Sequence, residues 1–417
     1  MKQRVFHGWI VVGAVFAALF IGFGIAYCFA AFFLPLQQEY GARRGDVSLV
    51  FSIAGFLYFA LGAVSGPLAD KIGPRRVVLG GMALVALGLW FASRADALWQ
   101  VFLGYGAGVG VGVGFAYVPA IAAVQRWFVR RRGMASGIAV SGIGAGTLVM
   151  PPLAGWLIAA SDWRTAYVLL AIMTMAIGGA AALLIDAAPE KRGLLPDGDR
   201  RAAHDAAALA PAPAYSFIPR RALASSPFWL IYGAAVLGSF GIFIPFVHLV
   251  PYAIDRGIAE TVALSLIGAI GIGSTVGRFA FGGVADRLGR RRALAMTFFG
   301  TTAMMLLWYF SSTAWALIAF AILFGTFYGG FVALVPALTT DYFGGKYVGS
   351  IIGYLYTSVS IGTLVGPPLA GYGYDLYQSY DLPILAAAVS QFSGAMFLLL
   401  APDPSRWRAA HAPRPAG

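Results

Sequence analysis

The sequence predicts an all-α membrane protein, with twelve transmembrane helices in two pseudo-symmetric six-helix halves. Composition is the first reason: 59% of the 417 residues are hydrophobic and only 11% charged, against roughly 25% charged in an ordinary soluble domain. The second is that apolar runs of about 20 residues or more recur along the whole chain, each long enough to cross a ~30 Å hydrocarbon layer as a helix. The third is internal repetition at one fixed offset.

In chain order, the first run, Trp9 to Pro35, is too long for a signal-peptide core and lacks a cleavage site, so it reads as an uncleaved first span. It contains the single cysteine, Cys28, so no disulfide forms within the chain. Runs at 47–68, 77–94, 98–125, 134–158 and 165–186 complete a first half, 1–186. Residues 187–226, rich in Ala, Pro and charge ("APEKRGLLPDGDRRAAHD"), read as a cytoplasmic linker. A second half, 227–401, holds runs at 227–252, 261–283, 293–311, 314–340, 347–371 and 382–401, and 402–417 is left as a cytoplasmic tail.

The net charge of +12 orients the chain and does not imply a nucleic-acid partner. All but six of the 29 Lys and Arg fall in the termini and alternate loops. Five lie in the other set of loops, Arg43, Arg44, Arg94, Arg164 and Arg256, and the sixth is Arg278, inside a span. This positive-inside bias predicts cytoplasmic termini. No basic stripe with interleaved aromatics lies outside these loops. No metal or cofactor motif is present, and the spans hold no clustered Ser, His and Asp of the kind an intramembrane enzyme needs.

"GPLADKIGPRR", Gly66 to Arg76, matches "GGVADRLGRRR", Gly282 to Arg292, at an offset of 216. "GTLVMPPLAG", Gly146 to Gly155, matches "GTLVGPPLAG", Gly362 to Gly371, in the same register. Parallel halves with a site between them near mid-membrane are the expected architecture of many secondary transporters. The first pair resembles the Gly-x-Leu-Ala-Asp-x-x-Gly-Arg-Arg loop of the major facilitator superfamily, whose fold and alternating access are therefore expected. In that loop, Gly66 and Gly282 permit close helix contact, Asp70 and Asp286 accept from the free amides of the next helix, and Arg75, Arg76, Arg290 and Arg291 hold the loop on the cytoplasmic side. "RWFVRRRGMASGIAVSGIGAG", Arg126 to Gly146, and the opening "HGWIVV", His7 to Val12, are similar to segments of the monocarboxylate transporter family and the related oxalate/formate exchangers. A prokaryotic member is expected. His7 stands near the place of an acidic residue in that family.

"GYGAGVGVGVGFAYVP", Gly104 to Pro119, has Gly-x-Gly spacings that superficially match a dinucleotide fingerprint, but that fingerprint needs a preceding strand. Within one apolar span, Gly104/108/112 and Gly106/110/114 make two small-residue faces for close helix packing. Pro119 and Pro336, in corresponding helices, are expected to kink them.

Arg278 sits eight residues ahead of Asp286, about 12 Å deeper by helix rise. None of the 17 Asp and Glu lies deep within a span. A charge at that depth costs at least ~2.5–3.5 kcal/mol, so it faces a bundle interior or a water-filled cavity. Its repeat mate is Gly62, so the scaffold itself requires no cation there. A guanidinium offers paired donors matched to a carboxylate. The family resemblance implies the same role, because its eighth helix carries a carboxylate-binding arginine, commonly one turn after an aspartate. Ser274 occupies that aspartate's place here. The oxalate/formate relatives use a second cation in helix eleven; Tyr347 to Gly371 has none.

These readings predict a carrier of a short monocarboxylate anion, lactate or pyruvate-like, across the plasma membrane with a proton. An oxalate/formate-type antiporter and a drug exporter are the alternatives. His248 is the only histidine well inside a span and is expected to take the proton and to line the substrate cavity. The family's cavity helices imply Tyr117, Tyr328 and Tyr356 as further substrate contacts, and Cys28 and Ser274 are weaker candidates. No motif speaks to an accessory subunit.

Overall fold

The computed structural model describes residues 6–128, 131–198, 216–344 and 347–411. Eleven helices are long and apolar enough to cross a membrane, and a bent pair makes up to twelve. We number these α1 His7–Tyr40, α2 Arg44–Ala60 with Gly62–Ile72, α3 Pro74–Ala92, α4 Leu98–Trp127, α5 Met134–Ala160, α6 Trp163–Leu184, α7 Ser226–Asp255, α8 Glu260–Leu288, α9 Arg290–Phe310, α10 Ala314–Phe343 and α11 Val348–Tyr377. Helix α12, Asp381–Leu400, is followed by a short α13, Pro404–His411. Each expected span is met by a helix, usually a few residues longer at the ends. The tail, expected as a cytoplasmic extension, forms α13 up to His411, and 412–417 lie outside the described residues. Of the linker, 199–215 lie outside them too; the rest holds 3-10 turns at Pro189–Arg192 and Pro196–Gly198 and a one-turn helix at Pro219–Leu223.

Local signals start and stop the helices. Asp162 caps α6 by accepting from the amides of Arg164 (2.8 Å) and Thr165 (2.9 Å). Helix α2 bends by 50° at Leu61, with Gly62 at the break and Pro67 beyond it withholding a hydrogen bond from the preceding turn. The duplicated loop turns on Gly73 (φ 91°) and Gly289 (φ 82°), repeat mates at a backbone geometry that side chains rarely adopt. Pro119 and Pro336 lie within α4 and α10, which continue through them.

The chain divides into two compact units: Met1–Ala42 with Leu49–Ala210, and Arg43–Ser48 with Pro211–Gly417. The hexapeptide at the start of α2 thus groups with the second unit.

In the first unit the two glycine faces of α4 find different partners. Gly104, Gly108 and Gly112 press on Gly88 and Gly81 of α3, whereas Gly106, Gly110 and Gly114 press on Ile53, Ala54 and Tyr58 of α2. In the second unit α8 and α10 meet along a reciprocal seam: Gly273 and Gly277 lie on the Ile322 and Thr326 carbonyls, and Gly325 and Gly329 on those of Ile270 and Ser274. Backbone-to-backbone approach of this kind leaves no room for a Cβ. Gly277→Val should therefore cost at least the ~1–3 kcal/mol of an overpacked core, seen as a lower melting temperature in detergent. Gly282→Val, whose Cβ meets nothing within 4 Å, should melt like the parent. That open space also corrects one expectation: Gly66 does touch Val118 of α4, but Gly282 makes no close helix contact.

Candidate functional site

The α8 seam positions the predicted anion site. Helix α8 is continuous from Glu260 to Leu288, so Ser274 and Arg278 lie one turn apart on the same side, with Arg278 about 15 Å from the helix's C-terminal end by helix rise. Arg278 is half-buried; Ser274 is buried and its hydroxyl has no hydrogen-bond partner. On α10, Tyr328 is buried, its ring against Phe246 (5.2 Å) and Phe243 (6.3 Å) of α7. Tyr356 on α11 is half-buried, its carbonyl taking a hydrogen bond from Ser360 (3.2 Å). Tyr117 and Cys28 belong to the first unit. Tyr117 meets the Phe23 ring edge-on at 5.5 Å. Cys28 marks a turn within α1, fully buried, with its thiol donated to the Ile25 carbonyl (3.1 Å).

His248 stands at a different level from Arg278. It lies seven residues before the end of α7, whereas Arg278 lies eighteen into α8, so along antiparallel helices the two differ by about 16 Å of rise. The structure does not bring them together. His248 is fully buried in a hydrogen-bond chain: Nε2 to the Pro367 carbonyl (2.8 Å) and Ser48 Oγ (3.1 Å), Nδ1 to the Tyr380 hydroxyl (3.0 Å). The carbonyl requires a proton on Nε2, and in the neutral tautomer Nδ1 then accepts from the Tyr380 hydroxyl. Ser48 donates to the Arg44 carbonyl (2.6 Å).

Arg44, which the sequence offers only as a loop charge, is the centre of this cluster. It is 7% exposed and grips Asp255 with both terminal nitrogens (2.7 and 2.8 Å). It also donates to the Tyr380 hydroxyl (2.8 Å) and lies over the Tyr374 ring (3.9 Å). The Arg44 and Gly45 amides donate to Asp375 (3.1 and 3.0 Å). No signal in "GARRGDVS" separates Arg44 from the exposed Arg43 beside it.

The duplicated loops depart from expectation. Asp70 does not serve the amides of α3; it pairs with Arg126 at the end of α4. Asp286 has no such role at α9 either, where the preceding Gly289 offers no side-chain cap. At Asp70 the free amides are outcompeted for the carboxylate by a guanidinium on a neighbouring helix, a stronger charged donor. Arg75 donates to the Ile185 carbonyl (3.4 Å) and to Asp186 (2.5 Å) at the end of α6. Its repeat mate Arg291 donates to the Ala401 carbonyl at the end of α12, the position equivalent to Ile185. Arg290 pairs with Asp341 of α10 (2.6 Å), and Arg76 is exposed. His7 (3.1 Å) and Arg192 (2.5 Å) join Arg75 on Asp186. Burial alone would raise the Asp186 pKa, but the hydrogen bond and charge of Arg192, with Arg75 and His7, hold it below the ordinary carboxylate value. The cluster is therefore at full strength above the usual carboxylate range and is lost as pH falls through the lowered value.

Among the described residues no three His, Cys, Asp or Glu gather as a metal site. The model of the family described as "Major Facilitator Superfamily" matches residues 14–302 and 239–416. Monocarboxylate transporter 11 of Mus musculus is 30% identical over 94% of this chain and 87% of its own length. Monocarboxylate transporter 12-B of Danio rerio is 28% identical over 94% and 86%. Among solved structures, a peptide transporter crystallised with sulfate is similar in fold, with a TM-score of 0.72 over 95% of both chains at 14% identity.

Proposed function

Because the chain belongs to the Major Facilitator Superfamily, and within it to the monocarboxylate transporter family, we propose that it carries a short monocarboxylate, lactate or pyruvate-like, across the plasma membrane with a proton by alternating access. A multi-pass transporter fold, not an enzyme's, is the starting point. The observation that carries the reading is Arg278: a guanidinium set well inside α8, where the repeat-related position of the first unit is Gly62. Its paired donors match one carboxylate, and Ser274 one turn away offers a buried hydroxyl with no protein partner. Helix α11 supplies no second cation, which favours a monocarboxylate over oxalate.

His248 is the proposed proton acceptor. Its acceptor nitrogen is Nδ1, which takes the Tyr380 hydrogen bond. A proton there makes both nitrogens donors, forces Tyr380 to turn its O–H away, and places a second positive charge beside Arg44 and its partner Asp255. Protonation thus loosens the hold on the Arg43–Ser48 segment, linking proton uptake to movement at the start of α2. The charge bias of the loops puts both termini in the cytoplasm.

Proteoliposomes offered labelled C2 to C6 carboxylates, with and without a pH gradient, test the proposal. Uptake of lactate or pyruvate that accelerates when the outside is acidic is the expected result. Uptake that needs a counter-anion inside and ignores the gradient would replace it with oxalate/formate-type antiport.

A further inference from the structure

The second unit contains a cleft of about 270 Å³ lined by Arg290, Arg291, Arg292 and Arg408, with Asp341 and Asp403. Both carboxylates are engaged: Asp341 with Arg290 (2.6 Å), and Asp403 with the amide and hydroxyl of Ser405 (2.9 and 2.5 Å) at the start of α13. The walls are fixed. Tyr342 donates to the Pro402 carbonyl, Arg291 to that of Ala401, and Trp407 of α13 packs on Phe217 (6.4 Å). Arg292 and Arg408 are exposed, and the buried Arg291 Nε has no hydrogen-bond partner.

The repeat supplies an internal control. At the offset of 216, Arg291 corresponds to Arg75, Arg408 to Arg192 and Pro402 to Asp186. In the first unit these two arginines converge on the Asp186 carboxylate, each at 2.5 Å. The second unit keeps both arginines and puts proline at the carboxylate's position; its own acid, Asp403, stands one residue on and is taken by Ser405. We propose that an external anion takes its place, and that this cleft binds a phosphate group through Arg291, Arg292 and Arg408.

Guanidinium forks match pairs of phosphate oxygens. The volume lies below the roughly 300 Å³ at which sites for drug-sized ligands begin, which suits a phosphate and its ester rather than a nucleotide. The cleft opens on the face that the charge bias assigns to the cytoplasm, beside the end of a membrane-spanning helix, where basic pockets meet anionic lipid headgroups. A phosphodiester headgroup and free phosphate share this chemistry.

Calorimetric titration of the purified protein in neutral detergent separates the possibilities. Dioctanoyl phosphatidylglycerol should bind and dioctanoyl phosphatidylcholine should not. Arg292→Gln with Arg408→Gln, both at exposed positions, should weaken binding at least about tenfold, as expected for lost charged hydrogen bonds. Pro402→Asp, which restores the first unit's carboxylate, should abolish it. Arg76→Gln, at the repeat mate of Arg292, should leave phosphatidylglycerol binding unchanged. Inorganic phosphate binding with the same variant pattern would support the site and assign it to free phosphate. Equal binding of the two lipids, or undiminished binding by the double variant, would overturn the proposal; the double variant decides should Pro402→Asp fail to fold.

Discussion

Arg278→Ala should abolish carboxylate uptake. A bidentate guanidinium–carboxylate pair comprises two charged hydrogen bonds of about 1.5–3 kcal/mol each, so losing both should lower kcat/KM by at least ~100-fold. Folding should survive, because Ala removes a half-buried charge and adds no bulk at the Gly277 seam. An unchanged melting temperature would show this. Arg278→Lys keeps the charge but not the planar fork and should recover only part of the activity. Normal uptake by Arg278→Ala would remove the anion site from α8 and leave a drug exporter, indifferent to this arginine, as the better reading.

His248→Gln should uncouple uptake from pH. A glutamine amide can donate toward the Pro367 carbonyl and accept from Tyr380, copying the neutral imidazole, but it cannot take up a proton. Wild-type uptake should rise as the outside is acidified, because the protonated imidazole loosens the Arg44, Asp255 and Tyr380 contacts. In the variant, the acceleration of uptake by an acidic outside should disappear, while KM for lactate without a pH gradient stays close to the parent's. The sign follows from His248 favouring movement when charged: activity is gained on the acid side and lost as pH rises. A variant that keeps the full acid stimulation would place the proton carrier elsewhere.

The two glycine faces of α4 were legible in "GYGAGVGVGVG" because small residues four apart fall on one side of any helix. Which face meets α3 and which meets α2 was not legible, since both partners offer suitable small or branched residues. The duplicated loop was legible as a repeat; that both copies turn on a positive-φ glycine, Gly73 and Gly289, came from the structure. The partners of its charges were not, and the expected capping by Asp70 gave way to Arg126, 56 residues away.

What the sequence by itself determined is the set of properties that each residue carries alone or shares with near neighbours: apolar length, loop charge, small-residue stripes, the duplicated register, and one arginine placed in only one half. These depend on transfer free energy and helix periodicity, which are local. Only the tertiary structure decided which charges are buried and with whom. Arg44 and Arg43 are equivalent in sequence. Arg44 alone is desolvated against Asp255, 211 residues on, and shares Tyr380 with His248. A buried charge is tolerable only where partners converge on it, and convergence across that distance is a property of the fold.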